Sequence, residues 1–192
     1  MFHEQVVNIG MGQTILKSAA LFPQQPALRF EGELQTYADL SDRIRKLATI
    51  LIELGARRGD RVGYMGLNHP TFLEAVYACS CIGAIFVPLN FRLTSSEASF
   101  IVGDSGIQIM LADDACTEIL DEQKQDVSVQ HYLSIESDRP GWASLENLMA
   151  VATPVETVAP IENDDVALIM YTSGTTGLPK GAMLTHGNIF WN

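Results

Sequence analysis

Apolar residues recur three and four apart from Leu40 through Ile44, Leu47 and Leu51 to Leu54, the spacing that lines one face of an α-helix. Thr36, followed three residues later by Asp39, gives a capping-box-like start, and Gly55 supplies a stop. Ahead of it, residues 27–30 and 34–37 are short extended runs around Glu31-Gly32-Glu33, which predicts a small hairpin. Beyond it the pattern alternates. Arg61–Met65 reads as a strand, residues 71–82 as a helix ended by Gly83, and Ile85–Leu89 as a near-continuous apolar strand of the kind buried on both faces. Thr94 with Glu97 opens a third helix, closed by Asp104-Ser105-Gly106. Residues 107–111 read as a strand, Asp114–Asp121 as a short acidic helix, 127–133 as a strand and 142–149 as a helix.

This alternation, with short connections bearing Gly or Asp, predicts an α/β layered domain with a mainly parallel sheet and flanking helices. Residues 151–165 carry Pro154, Pro160 and the acids Glu156, Glu162, Asp164 and Asp165. They read as a loop or linker, dividing the chain into an α/β part, residues 1–165, and a final unit, residues 166–192.

Charge narrows the function classes. The net charge is −11, which argues against a nucleic-acid surface, where Lys and Arg would cluster. Residues 100–165 hold 14 acidic and 2 basic residues, a net of −12, while the remainder is close to neutral. An anionic substrate would therefore need a local positive feature. Three cysteines do not form a disulfide framework, and no Cys/His spacing suggests a zinc site. The N-terminus has no basic stretch followed by a long apolar run, so it is not read as a signal peptide. The most apolar run, residues 75–89, is broken by Ser80 and Pro88 and falls short of the roughly 20 residues that span a bilayer. The expected location is the cytoplasm.

The positive feature lies near the end of the chain. An apolar run over residues 166–170 ends at Tyr171 and opens into Thr172-Ser173-Gly174-Thr175-Thr176-Gly177-Leu178-Pro179-Lys180-Gly181. Glycines at 174, 177 and 181 permit unusual backbone angles and leave room for a ligand. The hydroxyls of Thr172, Ser173, Thr175 and Thr176, with the compact charge of Lys180, suit a phosphate chain. The Walker form requires Gly directly before Lys and a following helix; here Pro179 precedes Lys180, and residues 182–184 look like a strand. The dinucleotide fingerprint is absent too, since Gly10-Met11-Gly12 lacks the third glycine. The element is a strand–loop–strand unit. Thr185-His186-Gly187-Asn188 reads as a helix start capped by Thr185, with His186 structural rather than a phosphate ligand.

These ten residues resemble the signature loop of the adenylate-forming, or AMP-binding, superfamily, which includes acyl-CoA synthetases, peptide-synthetase adenylation domains and luciferases. "DDVA" (164–167), "LTHGN" (184–188), "TYADL" (36–40), "GDRVGYMGLN" (59–68) and "GAIFVPLNFRLTSSE" (83–97) are similar to the acyl-CoA synthetase branch, the fatty acyl-CoA synthetases most of all. The resemblance implies activation of a carboxylic acid by Mg²⁺·ATP to an acyl-adenylate and transfer to coenzyme A. It places Thr172, Ser173, Gly174, Thr175, Thr176 and Gly177 around the β- and γ-phosphates and Lys180 beside them as the catalytic charge, with no protein metal cage. A medium- or long-chain fatty acid is the expected substrate, with an aryl-CoA ligase or another adenylating enzyme as the alternative. The chain reads as the N-terminal piece of such a protein, because nothing in it resembles the motifs for adenine, the acyl pocket or the C-terminal lysine. Alone, it would then be a non-catalytic fold module that could self-associate through exposed core surface.

Overall fold

The computed structural model describes residues 10–122, 124, 129–172 and 178–192. Seven strands form one sheet: β3 (Arg61–Met65), β4 (Ile85–Leu89), β5 (Ile107–Ala112), β6 (His131–Ser134), β7 (Ala143–Ser144), β8 (Val166–Thr172) and β9 (Lys180–Thr185). Their order is β7-β6-β5-β3-β4-β8-β9. Every neighbouring pair is parallel except β8 and β9, which are antiparallel. β1 (Pro26–Phe30) and β2 (Glu33–Thr36) make the separate antiparallel hairpin expected from the sequence.

Helices cover both faces. One core joins the sheet to α1 (Met11–Leu21), α2 (Tyr37–Glu53), α3 (Pro70–Ile82) and α6 (Leu145–Val151). The other joins it to α4 (Ser95–Ser105) and α5 (Asp114–Asp121). This two-sided burial is why β4 reads as a continuous apolar run. In β3, Val62 and Tyr64 enter the first core and Met65 the second, as strand alternation requires. A shift of register between Arg61 and Val62, which pair with Ile107 and Ile109, leaves Gln108 as an extra residue in β5. The bulge breaks alternation, so Ile107 and Ile109 enter opposite cores. Phe86 lies at the centre, edge-on to Phe72 at 5.2 Å and tilted against Tyr64 at 6.3 Å.

Local chemistry sets the helix ends. Thr36 with Asp39 and Thr94 with Glu97 both form reciprocal capping boxes. His69 caps α3 by accepting from the Thr71 amide, with Pro70 in the first turn. Gly83 and Gly106 end α3 and α4 at φ 74° and 67°, the left-handed conformation that favours glycine.

Two expected elements change, and the N-terminal glycines gain a role. Gly10-Met11-Gly12 belongs to the start of α1: a Cβ on Gly12 would meet the Cys81 Sγ at 2.7 Å, and the Gly12 amide donates to the Ser80 hydroxyl at 2.8 Å. The absent side chain lets α1 approach α3. Residues 142–149 are not one helix, because Ala143–Ser144 pairs with β6 before α6 begins. Trp142 instead meets the Tyr132 ring edge-on at 4.9 Å and donates to Asp121. Of the strand expected over 127–133, residues 127 and 128 lie outside the described residues, and pairing starts at His131.

The proline-bearing stretch before β8 is a packed strap. Arg45 Nε donates to the Val155 carbonyl at 2.6 Å and Thr49 Oγ1 to the Thr153 carbonyl at 2.7 Å. The Ala159 amide donates to the Cys81 carbonyl at 2.7 Å. Ile161 is buried and lies against Gly10.

Candidate functional site

β8 runs parallel to β4, aligned through Phe86 and Leu168. The connection between β8 and β9 therefore follows the carboxyl end of a parallel strand, where open α/β sheets receive their ligands. The ladder closes at its outer end with Thr172 opposite Lys180, so the strand–loop–strand reading holds for the two residues at the loop's stems. Both are exposed. Ser173, Gly174, Thr175, Thr176 and Gly177 lie outside the described residues.

Gly181 plays a different part from the one its sequence context suggested. It sits inside β9 opposite Tyr171, and a Cβ there would lie 2.8 Å from Ile169 Cγ2 and 3.1 Å from the Tyr171 ring. Its φ is not in the left-handed range. The absent side chain makes room for the ring across the ladder.

Tyr171 in turn fixes the strand just ahead of the loop. Its hydroxyl donates to Asp104 Oδ2 at 2.5 Å, at the C-terminal end of α4. Burial, and then the neighbouring Asp104 carboxylate, push its phenol well above the ordinary tyrosine range. The phenol stays protonated and remains a donor. No signal in the sequence joins two residues 67 positions apart.

The inner end of the hairpin holds a second group of contacts. Arg58 Nη2 reaches both Asp165 carboxylate oxygens, at 2.8 and 2.7 Å, and Arg58 Nη1 donates to the Pro160 carbonyl at 2.8 Å. The Glu162 amide also donates to Asp165, at 2.8 Å. Burial opposes the charged form of Asp165, but the Glu162 amide and the Arg58 guanidinium outweigh it and hold the carboxyl below its usual range. The His186 amide donates to the Asp165 carbonyl at 2.9 Å. His186 begins α7 (His186–Phe190), whose cap is the reciprocal Thr185–Asn188 box.

The His186 side chain is buried, and its Nδ1 accepts from the Met11 amide at 3.5 Å. Burial lowers its pKa, with Asp165 opposing. Thr185 pairs near Val166 while Lys180 pairs with Thr172. His186 is thus six residues along an extended strand from Lys180, roughly 20 Å at ~3.3 Å per residue. It belongs to the inner end of the hairpin, in line with a structural part.

Cys79, Cys81 and Cys116 are buried free thiols, and burial raises the pKa of each. That removes them as nucleophiles. Among the described residues no three of His, Cys, Asp and Glu gather as a metal site, and no helix is long and apolar enough to cross a membrane.

The family model for AMP-binding enzymes matches residues 15–192, which takes in the sheet, both helical layers and the β8–β9 element. The chain belongs to the AMP-binding enzyme family. Over 185 residues this AMP-binding chain is 40% identical to a feruloyl-CoA synthase from Amycolatopsis sp, covering 96% of the chain and 35% of that protein. It is 31% identical to an indoleacetate–CoA ligase from Aromatoleum aromaticum over 183 residues, 95% of the chain and 36% of that protein. The solved structure of a Mycobacterium tuberculosis fatty acyl CoA synthetase superposes with a TM-score of 0.83 at 28% identity, covering 92% of the chain and 34% of that structure. The AMP-binding chain thus spans about a third of the length of these proteins.

Proposed function

We propose that this chain contributes the triphosphate-binding part of an AMP-forming acid–CoA ligase, acting in a polypeptide of the relatives' length. The observation that carries the reading is the antiparallel β8–β9 pair. It opens, from Thr172 to Lys180, into the hydroxyl-, glycine- and lysine-bearing loop at the carboxyl end of a parallel strand. In that reaction a carboxylate oxygen attacks the α-phosphorus of ATP, and the bond to the β-phosphate oxygen breaks. Pyrophosphate leaves with its negative charge, and the thiol of coenzyme A then attacks the acyl carbon and displaces AMP.

The loop's task is to hold the departing charge. Thr172, Ser173, Gly174, Thr175, Thr176 and Gly177 surround the β- and γ-phosphates with amides and hydroxyls, and Lys180 adds a point charge at the rim. This is positioning and electrostatic stabilisation, with no covalent intermediate on the protein. An exposed lysine and threonine at the loop's stems fit a ligand that brings its own metal. Mg²⁺ would travel on the phosphate oxygens and water, in keeping with its reluctance to dehydrate, and it neutralises phosphate charge when bound. The hairpin, residues 166–192, is the phosphate-holding unit, and residues 1–165 form the sheet and helices that carry it. Three buried thiols accord with a cytoplasmic setting.

An aromatic carboxylic acid is the substrate class we favour, supported by the 40% identity to a feruloyl-CoA synthase and the 31% identity to an indoleacetate–CoA ligase. A fatty acid is the second reading, supported by the fatty acyl CoA synthetase superposition. Carboxylate-dependent ATP–pyrophosphate exchange tests both, with aromatic, short-, medium- and long-chain acids offered to a protein of the relatives' length. Exchange with an aromatic acid is expected. Exchange with fatty acids alone would select the second class, and exchange with no acid by a folded protein would overturn the reaction.

The 192 residues by themselves have a separate reading as a non-catalytic module that self-associates. β9 ends the sheet, with its own Met183 67% exposed and Trp191 78% exposed in the residues that follow. A sedimentation profile that stays monomeric at high concentration would exclude it.

A further inference from the structure

The loop is only as well placed as the hairpin that carries it, and that hairpin is the edge of the sheet, joined to the other strands through β4 alone. β8 meets β4 in register at a single residue pair, Phe86 with Leu168, whereas β8 and β9 pair along their whole length. Besides the packing of Leu168, Ile169 and Tyr171 against the two cores, polar contacts hold the hairpin in place along β4. Tyr171 with Asp104 is one such contact at the outer end, and those at the inner end converge on Asp165, the residue before β8. Its carboxylate takes Arg58 Nη2 through both oxygens and the Glu162 amide through Oδ2. Its carbonyl takes the His186 amide, the first residue after β9. Both ends of the hairpin are therefore tied to one residue.

Arg58 lies between α2 and β3, and its position is fixed independently of the hairpin. The adjoining Gly59 amide donates to the Gly83 carbonyl at 2.8 Å, and the Arg57 amide donates to Asp60 Oδ2 at 2.8 Å. The Arg58 stem also lies over the left-handed Gly83, 3.0 Å from where a Cβ would stand. The guanidinium thus joins the end of α3, the strap at Pro160 and the start of β8. One rigid, planar group holds the Asp165 carboxylate through Nη2 and the Pro160 carbonyl through Nη1, a fixed geometry that the single nitrogen of a lysine does not reproduce.

We propose that the Arg58–Asp165 pair is a clasp that sets the position of the β8–β9 hairpin, making Arg58 and Asp165 positioning residues for the phosphate loop about 20 Å away along the strand. The bearing on catalysis rests on the function proposed above; the clasp itself does not. Loosening it lets the hairpin populate displaced positions, and a ligand then binds only the fraction in place, so its apparent affinity falls by that fraction.

The test uses Arg58→Gln, Asp165→Asn, the double variant and Arg58→Lys. Amide hydrogen exchange on the 192-residue chain is the first readout. In Arg58→Gln, exchange over residues 166–172 and 180–185 should quicken by about fivefold, the scale of a partly exposed ion pair, while β3 and β5 stay unchanged. The double variant should quicken exchange by less than the product of the two single effects, and Arg58→Lys should fall between the unaltered chain and Arg58→Gln. Uniform quickening across the sheet, no quickening at all, or additive effects in the double variant would overturn the clasp.

In a protein of the relatives' length, Arg58→Gln should raise KM for ATP by a similar factor, leaving kcat and KM for the acid within about twofold. A fall in kcat with KM for ATP unchanged would overturn the link to the loop. Absence of exchange activity in the unaltered protein would remove the proposed function but not the clasp, which hydrogen exchange decides by itself.

Discussion

Gly181→Ala separates a glycine needed for packing from one needed for loop flexibility. The added Cβ would stand 2.8 Å from Ile169 Cγ2, with Tyr171 ring carbons at 3.1 and 3.3 Å. Carbon pairs rest at about 3.5–4.0 Å, so roughly 0.7 Å of overlap must be absorbed. Ile169 branches at its own Cβ and has little freedom at χ1. The far end of the Tyr171 ring is held by Asp104 at 2.5 Å. Overpacking of this kind costs about 1–3 kcal/mol. The loss of unfolded-chain entropy when glycine becomes alanine returns about 0.4–1 kcal/mol.

The expected net loss is thus about 1 kcal/mol, measured as a lower urea midpoint at unchanged m-value. Ile169→Ala removes the methyl that the new Cβ would meet. In that background Gly181→Ala should be close to neutral, a coupling of about 1 kcal/mol in the double-mutant cycle. Equal stability of Gly181→Ala and the unaltered chain, or the same loss in the Ile169→Ala background, would refute the packing argument.

Phe86→Ala should lower stability by about 3–5 kcal/mol in urea titrations, since a fully buried ring contacting Tyr64 and Phe72 leaves a cavity at the meeting of β4 and α3; a loss below about 1 kcal/mol would contradict that placement. His186 adds a pH dependence: burial depresses its pKa below 6.5, so the unfolded chain takes up the proton first and stability falls as pH drops through that value. The difference in urea midpoint between pH 7.5 and 5.5 should therefore shrink in His186→Gln, and an unchanged difference would count against a buried neutral imidazole.

Much of the architecture was legible because its determinants are local. Thr36 with Asp39, Thr94 with Glu97 and Thr185 with Asn188 satisfy helix-end amides within four residues, so each start could be placed from the chain alone. The apolar runs of β3, β4 and β8 follow from burial on two faces. α1 was missed for the opposite reason. In sequence, Gly10-Met11-Gly12 reads only as an incomplete dinucleotide fingerprint, and the approach to Cys81 and Tyr77 of α3 explains the glycine at 12. Residues 142–149 have an apolar pattern that suits a helix, but pairing with β6 claims Ala143 and Ser144.

At the site, the phosphate role proposed for the loop rests on its composition, the hydroxyls, glycines and lysine of residues 172–181. The supports of the hairpin were invisible: Tyr171 with Asp104 and Arg58 with Asp165 are separated by 67 and 107 residues. Gly181 was credited with conformational freedom when its need is space. Each of these depends on which strands lie side by side, which no short window of sequence carries.

The central claim is that the β8–β9 loop holds the triphosphate while pyrophosphate departs, with Lys180 as its fixed cation. The most direct test is Lys180→Ala in a protein of the relatives' length, comparing ATP–pyrophosphate exchange with the nucleotide-free urea midpoint. Loss of one charge-assisted contact to a departing phosphate should slow exchange by about 10²-fold or more, while an exposed side chain at a strand end should leave the midpoint within about 0.5 kcal/mol. Exchange that persists at the unaltered rate, or falls only in step with the midpoint, would contradict the account.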